Sequence, residues 1–265
     1  MYLGGSMGGE FLSARSNVFG GVEVDPDGLP QDPKGFERVL SASLQAWRAE
    51  GYQVVWLEIP VDRASFIPIV VAQGFRFHHC QESSVTLTLR LRADAFVPLY
   101  ATHYIDAGGL ALNEARELLV VLERAHRDRR PRYYKLPGGA LKPGEHLVDG
   151  VIREVWEETG IRTDFLCLAG FRHWHGYRFG KSDIYFICRL RPLTSEIHMQ
   201  ESEIDACEWM PLEGFLAAES VGAFNKHMVA AALRGEGLVP TWFEDYAVSP
   251  ATHDIFVPKV QGNPK

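Results

Sequence analysis

A chain of 265 residues, 46% hydrophobic and 23% charged, has the composition of a folded globular protein, and its length suggests two domains. Its 34 acidic residues outnumber its 27 Lys and Arg for a net charge of −7, which disfavours gripping a nucleic acid polymer and suits recruitment of divalent cations. No apolar run is long enough to span a membrane, no signal peptide opens the chain, and Cys80, Cys167, Cys188 and Cys207 form no CxxC pair, so a reducing cytoplasm is the expected compartment.

Residues 1–17, rich in Gly and Ser, read as a flexible leader, with a short apolar segment, Val18–Val24, after them. From Lys34 to Glu50, Phe36, Val39, Leu40, Leu44 and Trp47 recur at helical spacing up to Gly51. Residues 53–60 read as a strand. Residues 62–74 read as a helix with Asp62 as its N-cap, although Pro68 sits inside it. Residues 75–80 and 84–91 follow as strands. His78 and His79 are expected on opposite faces of the first of these, where they cannot share an ion. The order strand, helix, strand, helix, strand, strand makes a small α/β unit over 18–95, with the boundary at 93–96.

The second half opens with strands on either side of a turn at Asn113–Arg116. Arg124, Arg127, Arg129, Arg130 and Arg132 form a basic loop, either ordinary solvated surface or a device drawing a polyphosphate inward. Gly138 and Gly139 open a loop, and a helix runs from Val148 to Thr159 with Gly160 as its stop. Two long strands, a short strand and helix, and a closing helix complete an α+β unit over 96–240, with 241–265 as a C-terminal extension. The four cysteines are expected as small hydrophobes in or near strands. Trp47, Trp56 and Trp156 are expected in the core.

Chemistry concentrates in the helix. Glu154, Glu157 and Glu158 stand at i, i+3 and i+4, so three carboxylates share a face and repel unless a cation compensates. A hard ion such as Mg²⁺ or Mn²⁺ suits such a set. Val148, Val151, Ile152 and Val155 anchor the opposite face, and Arg153, next to Glu154, can fix a carboxylate rotamer through a two-pronged ion pair.

Gly139, Glu145, Arg153, Glu154, Val155, Glu157, Glu158, Gly160 and Ile161 fill the pattern GX5EX7REUXEEXGU, so the segment resembles the Nudix box at every specified position. That resemblance implies an α/β/α sandwich with a mixed sheet and a small nucleotide-type substrate. Glu154, Glu157 and Glu158 would be metal ligands, with the Gly139 carbonyl as a further one. Arg153 would orient the glutamates, and Glu145 would brace the loop or touch a second metal. Residues 54–91 also resemble the pre-Nudix domain of plant ADP-ribose/NADH pyrophosphatases and of a vertebrate Nudix protein. The resemblance extends through FGKSDIYFICRL and CEWMPL to cover about residues 50–235. This first unit is expected to pack on the Nudix domain or on a second subunit, which leaves a homodimer open.

Other residues carry weaker signals. Glu203 is the candidate general base, with Glu201 expected on the other side of an extended segment; a merely solvated acidic loop is the alternative. Lys181 is a candidate phosphate contact, and Tyr177 lies where diadenosine-polyphosphate relatives carry a tyrosine. His173 and His175 share a strand face and read as cleft-wall residues rather than zinc ligands. The expected function is hydrolysis of a diphosphate linkage, ADP-ribose or NADH type favoured. A Nudix-fold binding or regulatory module with little turnover is the other class.

Overall fold

The computed structural model describes residues 11–124, 133–246 and 248–259. The chain separates into two compact units, Met1–Ala101 and Thr102–Lys265. The first carries β1 (Ala14–Ser16), β2 (Val22–Val24), α1 (Pro33–Ala49), β3 (Val54–Pro60), α2 (Ile67–Ala72), β4 (Arg76–Cys80) and β5 (Ser84–Arg90). Its sheet runs β1-β2-β3-β5-β4.

Helix α1 starts where Asp32 accepts from the Gly35 amide and Pro33 occupies the first turn. Its predicted apolar face is buried, and Phe36 stacks on Phe66 at 4.3 Å. Burial of each such side chain is worth about 1.5–3 kcal/mol.

Several expectations need correction here. The leader is shorter than residues 1–17: Leu12 is buried, its amide donating to Ser43, and residues 14–16 pair with β2. Asp62 does not cap a helix. Residues 61–66 form a 3₁₀ turn, and α2 begins only at Ile67 with Pro68 in its first turn, the one place a helix accepts proline without losing a bond. Residues 97–101 stay with the first unit, past the expected boundary, as the Pro98 carbonyl meets His78 and Tyr100 stacks on His79 at 4.4 Å. A bulge between Phe77 and His79 breaks the alternation of β4, so the two histidines meet through their Nδ1 atoms at 2.8 Å. Cys80 and Trp156 are exposed, whereas Cys167 and Cys188 are buried.

The second unit contains β6 (His103–Ala111), β7 (Glu117–Glu123), β8 (Gly138–Ala140), α3 (Leu147–Thr159), β9 (Thr163–Trp174), β10 (Ser182–Pro192), β11 (Ile204–Pro211), α4 (Leu212–Ala217), α5 (Ala223–Ala232), β12 (Leu238–Pro240) and β13 (Phe256–Pro258). Six strands run β13-β12-β9-β10-β6-β8, mixed because β6 and β10 are parallel, and β7 pairs with β11 apart from them. Two cores lie on opposite faces. Val151 and Val155 of α3 pack with Ala107, Leu119 and Cys188, whereas Phe215 of α4 and Val229 of α5 pack with Leu110, Val120 and Ile187. Alternation along the strands divides the layers, and the α/β/α sandwich is as expected. Among the described residues no helix is long and apolar enough to cross a membrane. The C-terminal extension is partly built in, because Phe256–Pro258 adds an edge strand beside β12.

Candidate active site

Helix α3 is held at both ends. The Leu147 amide donates to Asp254 Oδ2 at 2.9 Å, and His146 Nδ1 lies 2.7 Å from the other oxygen. Asp254 thus caps from over a hundred residues away, a role for the C-terminal extension that no local pattern announces. At the other end Gly160 takes the left-handed conformation, with φ of 73°, and turns the chain out of the helix.

Arg153 organises the acidic face. Its Nε and Nη2 engage both oxygens of Glu145 at 2.6 and 2.8 Å, while Nη1 bridges Glu154 at 2.7 Å and Glu157 at 2.9 Å. The expected two-pronged pair is made, and its carboxylate is that of Glu145. Hydrogen bonding to Arg153 holds the Glu145 carboxyl down at about 2. Glu145 also accepts from the Lys142 amide at 2.9 Å, which closes the loop before the helix. Part of the repulsion expected to call for a metal ion is thus offset by Arg153 itself.

Glu158 turns inward. It is 5% exposed and accepts from the Gly138 amide at 2.8 Å. Burial pushes its carboxyl up to about 7, against the pull of Lys135, whose ammonium lies 3.9 Å away. Lys135 also meets Glu123 at 2.5 Å and the Gly138 carbonyl at 3.1 Å. Burial by itself would lower the Lys135 pKa, but Glu158 and Glu123 raise it and keep it charged. Sequence reading missed Lys135; its position just ahead of the glycines was the available signal.

Glycine is required at two positions here. Gly138 has φ of 147°, and a Cβ there would sit 2.1 Å from the Ala107 carbonyl oxygen. A Cβ on Gly139 would stand 2.6 Å from Glu154 Oε2. That close approach of backbone to carboxylate suits a hard cation taking both oxygen types. Among the described residues no three His, Cys, Asp or Glu side chains converge tightly enough to share an ion, because Arg153 occupies the space between Glu154 and Glu157. The donor set nevertheless fits a hard divalent cation: it is oxygen-only, and Glu154 Oε2 accepts no hydrogen bond among the described residues.

Glu203 lies in a turn at residues 201–203 and is exposed, as is Glu201, so the expected extended segment with alternating faces is not what forms. The preceding loop docks on the end of α3: the His198 amide donates to Thr159 O and the Gln200 amide to Glu158 O. Glu203 O accepts from the Arg124 amide, one residue before the pairing of Ile204 with Glu123. Arg132, with most of the basic loop, lies outside the described residues.

A second polar cluster stands beside the first. Asp183 is fully buried and receives Arg172 Nη2 at 2.5 Å. Burial and the adjacent Asp183 charge push the Asp106 carboxyl up to about 6, and Asp183 Oδ1 has no hydrogen-bond partner among the described residues. Tyr177 joins this group, its ring 4.9 Å from Trp174, and Lys181 ends the adjoining turn. His173 lies 2.9 Å from His103 through their Nε2 atoms, with the His175 ring 4.1 Å away.

Asp106 makes stability depend on pH with a definite sign. The folded chain keeps the Asp106 proton up to about pH 6, whereas the unfolded chain releases it near the ordinary aspartate value, so stability falls as pH rises through that window. Asp106→Asn should therefore raise the melting temperature more at pH 8 than at pH 5. Equal shifts at both pH values in thermal melts would contradict the raised Asp106 pKa.

Comparison with known proteins bears on the family. Residues 12–91 match the Nudix hydrolase domain model named Nudix_hydro, and residues 102–232 match the NUDIX domain model. Nudix hydrolase 8 of Arabidopsis thaliana is 40% identical over 77% of this chain, which spans only 56% of that protein. The human nucleoside diphosphate-linked moiety X motif 6 is 37% identical over 84% of this chain and 72% of its own length. A MutT protein from Methanosarcina mazei aligns with a TM-score of 0.44 at 27% identity, covering 52% of this chain and 97% of that one. With the glutamate helix, its Arg153 brace and the paired glycines in place, and with relatives of this similarity over most of their length, the chain belongs to the Nudix hydrolase family.

Proposed function

We propose that the protein is a divalent-metal-dependent diphosphatase that cleaves a nucleoside diphosphate linked to a further moiety, ADP-ribose or NADH type. The observation that carries this reading is the set of Glu154, Glu157 and Glu158 tied to Arg153 and Lys135 beside Gly138 and Gly139. The three glutamates with the Gly139 carbonyl would hold Mg²⁺ or Mn²⁺. When bound, the ion offsets phosphate charge and lowers the pKa of a ligated water. Arg153 keeps Glu154 and Glu157 in place, and Glu145 braces Arg153. Lys135 steadies Glu158 as a carboxylate. Glu203 takes the proton of the attacking water, a contribution of about 10²–10⁴-fold for a well-placed base. Arg132, Lys181 and Tyr177 contact the substrate.

The test is a panel of nucleoside diphosphate derivatives incubated with the full chain and Mg²⁺, with products separated by chromatography. A nucleoside monophosphate should appear, and excess EDTA should abolish its release. Turnover undiminished by the chelator would remove the metal from the mechanism. A chain that binds but cleaves none of the panel is a binding module.

A further inference from the structure

Strand register sets Arg172, Tyr185, Asp106 and Ala140 in one row across β9, β10, β6 and β8. Ala140 belongs to the Gly-rich loop that leads into the catalytic helix. At about 4.8 Å between neighbouring strands, Arg172 stands roughly 14 Å from that loop. With a diphosphate held at the glutamates, as proposed above, a group at that distance would face the moiety that the diphosphate carries.

Arg172 uses little of its hydrogen-bonding capacity. One nitrogen, Nη2, donates to Asp183; Nε is buried with no partner among the described residues, and the side chain is 33% exposed. Its guanidinium carbon lies 5.0–5.4 Å from the ring centres of Trp174, Tyr185 and Phe224, so its plane is held by packing on rings as well as by one ion pair. Among the described residues no neighbour serves Arg172 Nε. Folded proteins seldom bury a guanidinium N–H unmatched, so an acceptor from outside the chain is the economical account. Exposed Trp174, with Tyr177 against it, offers a flat apolar wall beside that donor.

We infer that Arg172 is a specificity-determining residue that donates to an acceptor oxygen or nitrogen on the moiety remote from the scissile linkage. The class of ligand rests on the diphosphatase reading above; the donor and its rings do not. A site built to hydrogen-bond a substrate group discriminates strongly against analogues that lack it.

Binding tests this without turnover. ADP-ribose and inorganic pyrophosphate are titrated calorimetrically into the full chain with Ca²⁺ replacing Mg²⁺. Arg172→Gln and Arg172→Lys should each weaken ADP-ribose by about tenfold or more while leaving pyrophosphate, which lacks the remote moiety, within about twofold. The lysine variant keeps a cation opposite Asp183, so it is the one to rely on if the glutamine variant misfolds by circular dichroism. ADP-ribose affinity within twofold of the unaltered chain overturns the inference. Equal weakening of pyrophosphate, or no ADP-ribose binding by the unaltered chain, does so too. Hydrolysis is scored separately with Mg²⁺. An unaltered chain that binds ADP-ribose, loses it on substitution of Arg172, and cleaves nothing leaves the inference standing and removes the hydrolase reading.

Discussion

Replacing Glu157 or Glu158 by glutamine lowers turnover by at least about a hundredfold, the expected cost of removing a charged metal ligand at about 1.4 kcal/mol per decade of rate. Glutamine keeps the volume of each side chain, so the fold should persist. The two variants differ in one informative respect. Glu157 is partly exposed and shares Arg153 with Glu154, whereas Glu158 is buried and holds its proton up to about pH 7. A cation must displace that proton, so apparent metal affinity of the unaltered enzyme should fall as pH drops below 7. Glu158→Gln should lose that pH dependence, and Glu157→Gln should keep it. Steady-state rates across a Mg²⁺ series at pH 6 and 8 read both effects. A change under threefold for both variants would tell against the assignment.

Glu203→Gln is expected to lower kcat by about 10²–10⁴ with little change in KM, because proton transfer from the attacking water matters in the transition state rather than in binding. Docking of the 198–200 segment on the end of α3 brings this turn to the rim of the acidic cluster. Glu201→Gln is the control and should be mild. Since both residues lie in one exposed turn rather than on alternating faces, the contrast rests on direction within the turn. If Glu201→Gln is crippling and Glu203→Gln is silent, the roles are exchanged. If both are silent, the base is a glutamate of the helix or a metal-bound hydroxide.

Most of the fold was legible because its signals are local. Helix α1 follows from the spacing of Phe36, Val39, Leu40, Leu44 and Trp47, and α3 from a stretch that ends at Gly160. Two misreadings arose where one residue breaks a periodic rule. Pro68 delayed α2, and a bulge in β4 brought His78 and His79 together. A single insertion changes every facing after it, and alternation alone cannot report it.

For the site, sequence spacing was enough to place the three glutamates and Arg153 on one helix and to identify the family, because a helix converts intervals of three and four into a shared face. Which cation faces which carboxylate was not decidable that way. Arg153 could have paired with Glu154 alone, yet it takes Glu145 with two nitrogens and bridges Glu154 and Glu157 with a third. Lys135 reaches Glu158, Asp254 caps the helix from the far end of the chain, and Arg172, Tyr185 and Asp106 line up across three strands. These pairings join residues from separate elements, and they depend on strand order and register. Register is a property of how segments meet, set by burial on both faces of the sheet, so only the folded chain determines it.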